Sequence, residues 1–296
     1  MTMKHAIYLP TYTPFGHARV IADLARDAEQ AGWDGVFLWD DVAGTEQDLA
    51  DPWVALSAAA VATQRVRLGL LITPLARRRP WKFARETASL DHLSGGRLVV
   101  GVGAGGGQEQ FGDLGDEPDQ RVRGAMLDEG LAVVTGLWSG ESFQFQGKYY
   151  HLKPTTFRPR PLQQPRIPVW AGGVWPHKRP LARMARWDGM FPLFWGVDDP
   201  AEQQAHLRQM VASVLAMRRE ILPESAQRPF DVVTVGTTPP DRPAQTEEQL
   251  AGFAAAGATW WLESLAPARG GGPAWSLDRL RERVLAGPVG GTGRTR

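Results

Sequence analysis

Cysteine is absent from this chain of 296 residues. Disulfides, thiolate catalysis and zinc–thiolate sites are thereby excluded, and a reducing cytoplasm suits such a protein. Long hydrophobic runs are also missing. None approaches the roughly 20 apolar residues that a membrane helix needs, and the opening MTMKHAIYLP lacks the apolar core of a secretory signal. Charge of one sign is not in excess: 33 basic and 32 acidic residues leave a net charge of +1, so electrostatics give no case for nucleic-acid binding. The six histidines form no HExxH-type pair, and no GxSxG elbow supports a serine triad. There is no Gly-Lys-Ser/Thr, which excludes a P-loop. Lysine is scarce beside arginine, whereas tryptophan is abundant, with 12 residues. That abundance suits a pocket, an oligomer interface or core packing.

What is present is a repeated strand–helix pattern. Apolar runs bounded by Gly and Pro predict strands at Ala6–Leu9, Gly35–Trp39, Val66–Ile72, Leu98–Val102, Ile167–Ala171, Gly189–Leu193, Phe230–Val235 and Thr259–Leu265. Helical spacing predicts Ala18–Ala31, Trp53–Thr63, Trp81–Leu93, Val122–Trp138, Pro180–Arg186, Ala201–Leu222, Glu247–Ala256 and Leu277–Leu285. Asp51-Pro52 reads as an N-cap with proline in the first turn. Ser94-Gly95-Gly96 reads as a helix stop. Phe143–Leu152 alternates around Gln-Gly like a hairpin, followed by a Pro-rich connection over Pro154–Pro168.

Eight successive βα units imply a parallel sheet with right-handed crossovers, and at this length a closed (β/α)₈ TIM barrel. An open doubly wound sheet is the alternative. The expected organisation is one barrel domain over residues 1–286, with an insertion after the fourth strand at about 104–165. A disordered tail is expected over 287–296.

In a barrel the chemistry lies in the loops after the strands. These are Thr11-Tyr12, Asp40-Asp41, Thr73-Pro74, Gly103–Gly107, Gly172-Gly173, Phe194-Trp195, Gly236-Thr237 and Glu263. Gly101, Gly103 and Gly106 match GxGxxG, but no helix opens at the last glycine, as a dinucleotide fingerprint requires. Either the loop lets a flat or phosphorylated ligand approach its backbone, or it is a flexible surface loop. Adjacent strand residues face opposite ways, so one of Asp40 and Asp41 points into the mouth and the other caps or pairs. The run Arg77-Arg78-Arg79 is either solvated surface or a phosphate contact.

The segments DLARDAEQAGWDGVFLWDD, DPWVALSAAAVATQRVRLGLLITPL, ETASLDHLSGGRLVVGVGAG, LDEGLAVVTGLWSGESFQFQGKYYHL and RPRPLQQPRIPVWAGG occur in an order that resembles the bacterial luciferase-like superfamily of flavin- and deazaflavin-dependent oxidoreductases. The resemblance implies a (β/α)₈ barrel that binds reduced FMN, or the deazaflavin coenzyme F420, in its mouth. It implies cofactor contacts at Asp40, at a bulge formed by a cis peptide at Leu71–Ile72 with Thr73 beyond it, and at Gly103, Ala104 and Gly105. It places the cofactor's phosphate-bearing tail at Ala171, Gly172 and Gly173. FMN, with nitrogen at ring position 5, can activate O₂, whereas the deazaflavin carries hydride. The expected partners are a small organic substrate and a separate flavin or F420 reductase, and a homodimer is expected. Two positions depart from the family's pattern. Asp41 stands where the deazaflavin binders have His, and Gly106 stands where the sugar-phosphate dehydrogenases have a Glu. A non-catalytic flavin-binding protein is the contrasting reading.

Overall fold

A computed structural model describes residues 2–224, 228–239, 241–266 and 276–289. The expected tail therefore lies outside the described residues from position 290 onward. Eight parallel strands close a barrel: β1 (Lys4–Leu9), β2 (Gly35–Leu38), β3 (Arg67–Pro74), β4 (Leu98–Gly103), β7 (Val169–Val174), β8 (Gly189–Leu193), β9 (Asp231–Gly236) and β10 (Trp260–Ser264). Around the barrel the order is β1-β10-β9-β8-β7-β4-β3-β2. β5 (Ser142–Gln146) and β6 (His151–Thr156) form a separate antiparallel hairpin. The helices are α1 (Ala18–Gln30), α2 (Pro52–Ala62), α3 (Pro80–Leu93), α4 (Gln120–Trp138), α5 (Lys178–Met184), α6 (Pro200–Ile221), α7 (Pro243–Ala255) and α8 (Leu277–Leu285). The chain is thus a (β/α)₈ TIM barrel.

Local chemistry sets the helix starts. Asp51, Asp119 and Asp199 accept backbone N–H groups at the starts of α2, α4 and α6. Strand alternation sorts side chains into two cores. Outward residues such as Ile7, Leu9, Leu68, Val100 and Val169 pack against the helices. Inward residues fill the barrel with aromatic bulk: Tyr8, Phe37, Trp170, Phe191 and Trp260, with Leu71, Val99, Val233 and Leu262 between them.

One boundary differs from the sequence expectation in a way that matters. The fifth barrel strand, expected to end at Ala171, runs on to Val174. Gly172 and Gly173 are therefore strand residues, paired with Phe191 and Pro192 of β8. Glycine reads as a breaker in sequence, but in a strand it also marks close approach of a neighbour, and both positions have one. A Cβ on Gly172 would lie 2.7 Å from Ile72 Cγ2, and one on Gly173 2.4 Å from Pro180 Cβ.

Candidate active site at the barrel mouth

The mouth is the carboxyl end of the eight strands. Its geometry turns on β3. The β3–β4 register shifts between Leu70 and Thr73, and the Leu71–Ile72 peptide is cis. Across the register shift, Leu71 and Ile72 both belong to the interior cluster. The glycines of the neighbouring strands make room for them. A Cβ on Gly101 would lie 2.4 Å from Leu71 Cδ2, and one on Gly103 2.6 Å from Ile72 Cδ1. With Gly172 on the other flank, Ile72 sits half-buried as a ledge in a cleft that only glycines leave open. The Tyr8 hydroxyl donates to the Leu71 carbonyl beneath it. Of the glycines singled out in the sequence, Gly101, Gly103 and Gly172 thus serve the bulge directly.

Loop 103–107 is not a loose surface loop. Arg123, buried on α4, donates through Nε to the Ala104 carbonyl at 2.9 Å and through a terminal nitrogen to that of Gly105 at 3.4 Å. It also reaches the carbonyls of Glu117 and Pro118, and its guanidinium lies 3.9 Å from the centre of the Phe111 ring. Burial pulls the Arg123 pKa below its ordinary value, against the attraction of Glu117 and Asp119. Gly105 adopts φ +72°, which a side chain would resist, and a Cβ there would strike Phe111.

Asp40 is buried just past β2, with Arg77 and Arg78 both 2.9 Å from its Oδ1. Trp39, one residue earlier, faces the barrel interior, so alternation turns Asp40 towards the outer layer. Arg77 and Arg78 are not solvated surface: Arg77 also donates to Gln110 Oε1 at 3.1 Å, and that oxygen accepts the Val42 N–H. Burial lowers the Arg77 pKa despite the attraction of Asp40. Asp41 lies at the half-buried rim, within electrostatic reach of Arg77.

Glu263 likewise turns outward. It accepts from Thr238 through backbone and hydroxyl, each at 2.9 Å, and from Trp261 Nε1 at 3.0 Å, with Arg283 at 3.5 Å. Thr73 lies opposite Val102 on β4. The buried hydroxyls of Thr11 and Thr73, at the ends of β1 and β3, make no hydrogen bond among the described residues; a ligand or a water would satisfy them. The β4–β7 ladder stops at Ala171, while β7 continues beside β8 to Val174. Past Ala171 the β4-side edge of β7 therefore lies outside the ladder, and the Val174 carbonyl accepts the His177 N–H there at 3.3 Å. Beyond it come the exposed residues His177, Lys178 and Arg179.

The structure thus gathers Leu71, Ile72, Gly103 and Gly172 at one point, with Ala104 and Gly105 fixed beside them. Gly173 turns towards α5, Ala171 packs in the outer core, and Asp40 pairs behind the rim. Arg123 escaped the sequence reading, because an arginine early in a helix gives no sign that it holds a distant loop. Among the described residues no His/Asp/Glu group could hold a metal, and no helix is long and apolar enough to cross a membrane.

Comparison with known proteins bears on the family and the fold. The model of the luciferase-like monooxygenase family matches residues 3–267. The chain belongs to that family. Over 169 residues it is 36% identical to an F420-dependent glucose-6-phosphate dehydrogenase of Nakamurella multipartita, covering 55% of this chain and 48% of that protein. Over 156 residues it is 36% identical to an uncharacterised protein of Mycobacterium tuberculosis, covering 51% and 54%. The chain spans about half the length of the curated relatives it matches. Among solved structures it resembles the monooxygenase RslO1 of Streptomyces bottropensis, with a TM-score of 0.72 and 23% identity over 96% of this chain and 98% of that one. It also resembles an F420-dependent secondary alcohol dehydrogenase bound to an F420–acetone adduct, with a TM-score of 0.73 and 19% identity over 96% and 99%. At those identities the two solved structures bear on the fold.

Proposed function

We propose that this chain is an oxidoreductase that uses reduced FMN or coenzyme F420 to transform a small organic substrate at the barrel mouth. The observation that carries this reading is the bulged end of β3. It sets Ile72 as an apolar ledge between Gly103 and Gly172, which suits the face of a flat tricyclic ring. Trp39, Leu193 and Val235, half-buried at the same level, are apolar as well. The residues present fit such a cofactor. Ile72 would support its ring, and the loop at Ala104 and Gly105, held by Arg123, would flank it. The peptide edge of β7 beyond its ladder with β4, with Lys178 and Arg179 following, would hold a phosphate-bearing tail.

When bound, the cofactor would supply either hydride or a route to O₂ activation. The chain itself would position the ring, exclude water with its apolar floor and anchor the tail. Asp40 would act at one remove, by holding Arg77 and Gln110 and through them the segment at Val42 and Ala43.

The test is an anaerobic titration of the purified chain with FMN and with F420, followed by absorbance, and then turnover with and without O₂. Saturable binding of one of the two is expected. Binding of neither removes the proposed function. Tight binding without turnover of any substrate offered, under either gas, would instead support a cofactor-sequestering protein.

A further inference from the structure

The inward-facing strand ends at the mouth carry no charged side chain. They are Tyr8 on β1, Trp39 after β2, Ile72 on β3, Gly103 on β4, Gly172 and Val174 on β7, Leu193 on β8, Val235 on β9 and Ser264 on β10. The Tyr8 hydroxyl is engaged by Leu71. Two strand-end carboxylates, Asp40 and Glu263, face the outer layer and are paired there. Arg77 and Arg78 are drawn to Asp40, and Arg78 also lies over the Trp53 ring at 5.7 Å.

One aromatic wall stands above β1 and β2, where Tyr12 meets Trp39 edge-on at 6.0 Å and Trp39 meets Tyr8 at 5.8 Å. Trp175 and Phe194, after β7 and β8, turn outward instead and pack on the outer core beside His206, at 6.5 and 6.1 Å. In the closed order β2 lies opposite β8, so Trp195, just past β8, stands across the opening from Trp39. Trp195 is 68% exposed, an unusual state for tryptophan, and its ring tip comes within 3.7 Å of where a Cβ on Gly106 would lie. It therefore reaches from the β8 end towards the loop after β4. An exposed indole costs hydrophobic free energy that a stacked partner would recover.

We propose that the substrate is a neutral compound with a flat aromatic face, and that Trp195 selects it by stacking across the mouth. This rests on the proposed function, since it takes the mouth to be the reaction site. A sugar phosphate fits poorly. It would bring a dianion to strand ends that carry no charge, where the buried Arg77 and Arg78 are held by Asp40, Lys178 and Arg179 are given to the cofactor tail, and the Asp41 carboxylate stands at the rim.

The test is calorimetry on the cofactor-loaded chain with three probes: 2-acetylnaphthalene, cyclohexyl methyl ketone and glucose 6-phosphate. The aromatic ketone is expected to bind at least tenfold more tightly than the alicyclic one, and glucose 6-phosphate is expected not to saturate. Trp195→Ala is expected to weaken the aromatic ketone about tenfold and the alicyclic one less than twofold, while Trp195→Phe keeps most of the preference. Cofactor affinity, titrated separately, is expected to be unchanged in both variants. Absence of aromatic binding, an equal loss for both ketones, or preferred binding of glucose 6-phosphate would overturn the proposal. Failure of the wild-type cofactor titration would instead strike at the proposed function.

Discussion

The two ends of the barrel use the same residue type to opposite effect. At the amino-terminal floor, Trp170 and Trp260 are fully buried, and both indole N–H groups donate to the Asp231 carboxylate, at 3.2 and 3.0 Å. Phe37 packs on both rings at 5.2 and 5.8 Å, and Lys4 lies over Trp260. At the mouth, Trp39 is half-buried and Trp195 largely exposed. Each buried donor of the floor is matched, so the floor is a plug that stabilises the fold. The rings of the mouth are incompletely covered, which suits a surface that receives something flat. Abundant tryptophan, ambiguous in the sequence between pocket and core, is divided between both.

Asp40 and Asp231 make the sharpest pair for testing this division. Asp40→Ala should be the most damaging of the variants considered, because it leaves Arg77 and Arg78 without their buried partner. Breaking such a pair costs about 3–5 kcal/mol, read as a lower denaturant midpoint. It should also weaken cofactor binding, since Gln110 and the 42–43 segment lose their anchor. Asp231→Ala strands two indole N–H groups and should cost about 2–4 kcal/mol, while cofactor affinity stays within twofold of wild type. If Asp231→Ala lowered cofactor affinity as much as Asp40→Ala, floor and mouth would not be separate in function.

A smaller effect sharpens the mouth itself. Gly172→Glu would push a side chain into Ile72 and put a negative charge beside the proposed tail site. Cofactor Kd should rise at least tenfold, a loss of about 1.4 kcal/mol, in the anaerobic titration. Gly106→Ala is the control. A Cβ there meets nothing nearer than Trp195 at 3.7 Å, so stability and cofactor affinity should hold. Equal behaviour of the two variants would mean that the Ile72 cleft does not shape the cofactor site.

Much of the barrel was legible because most strands are short apolar runs bounded by Gly or Pro, and several helices carry their own start or stop signal. β7 was misread at its end because Gly172-Gly173 lacks the side chains that mark a strand. What keeps those residues in the sheet is the register with β8 and the presence of Ile72 and Pro180 where side chains would be. Alternation implied that one of Asp40 and Asp41 turns away from the mouth but not which, and the partners that hold Asp40 outward lie 37 and 38 positions away, beyond the reach of any local pattern. Arg123 and Asp231 were invisible for the same reason. Each gains its role from several groups assembled by the fold, among them four backbone carbonyls for one and two indoles for the other.

The smallest expected effect belongs to the amino-terminal end, at His5 on β1. Burial lowers its pKa from the ordinary 6.5, partly opposed by Asp34 and reinforced by Arg283. The folded chain therefore prefers the neutral imidazole. Above about pH 6.5 both folded and unfolded states are neutral at this site, and the full stability is present. As pH falls below that value the unfolded chain takes up the proton first, so stability declines until the lowered folded pKa is passed. A plot of denaturant midpoint against pH should slope downward from pH 7 to pH 5, and His5→Gln should flatten part of that slope. Because His5 packs outside the barrel, near Trp33, Trp261 and Arg283, cofactor Kd in the variant should match wild type at each pH. A cofactor Kd that followed the His5 titration would join the two ends of the barrel and break the comparison.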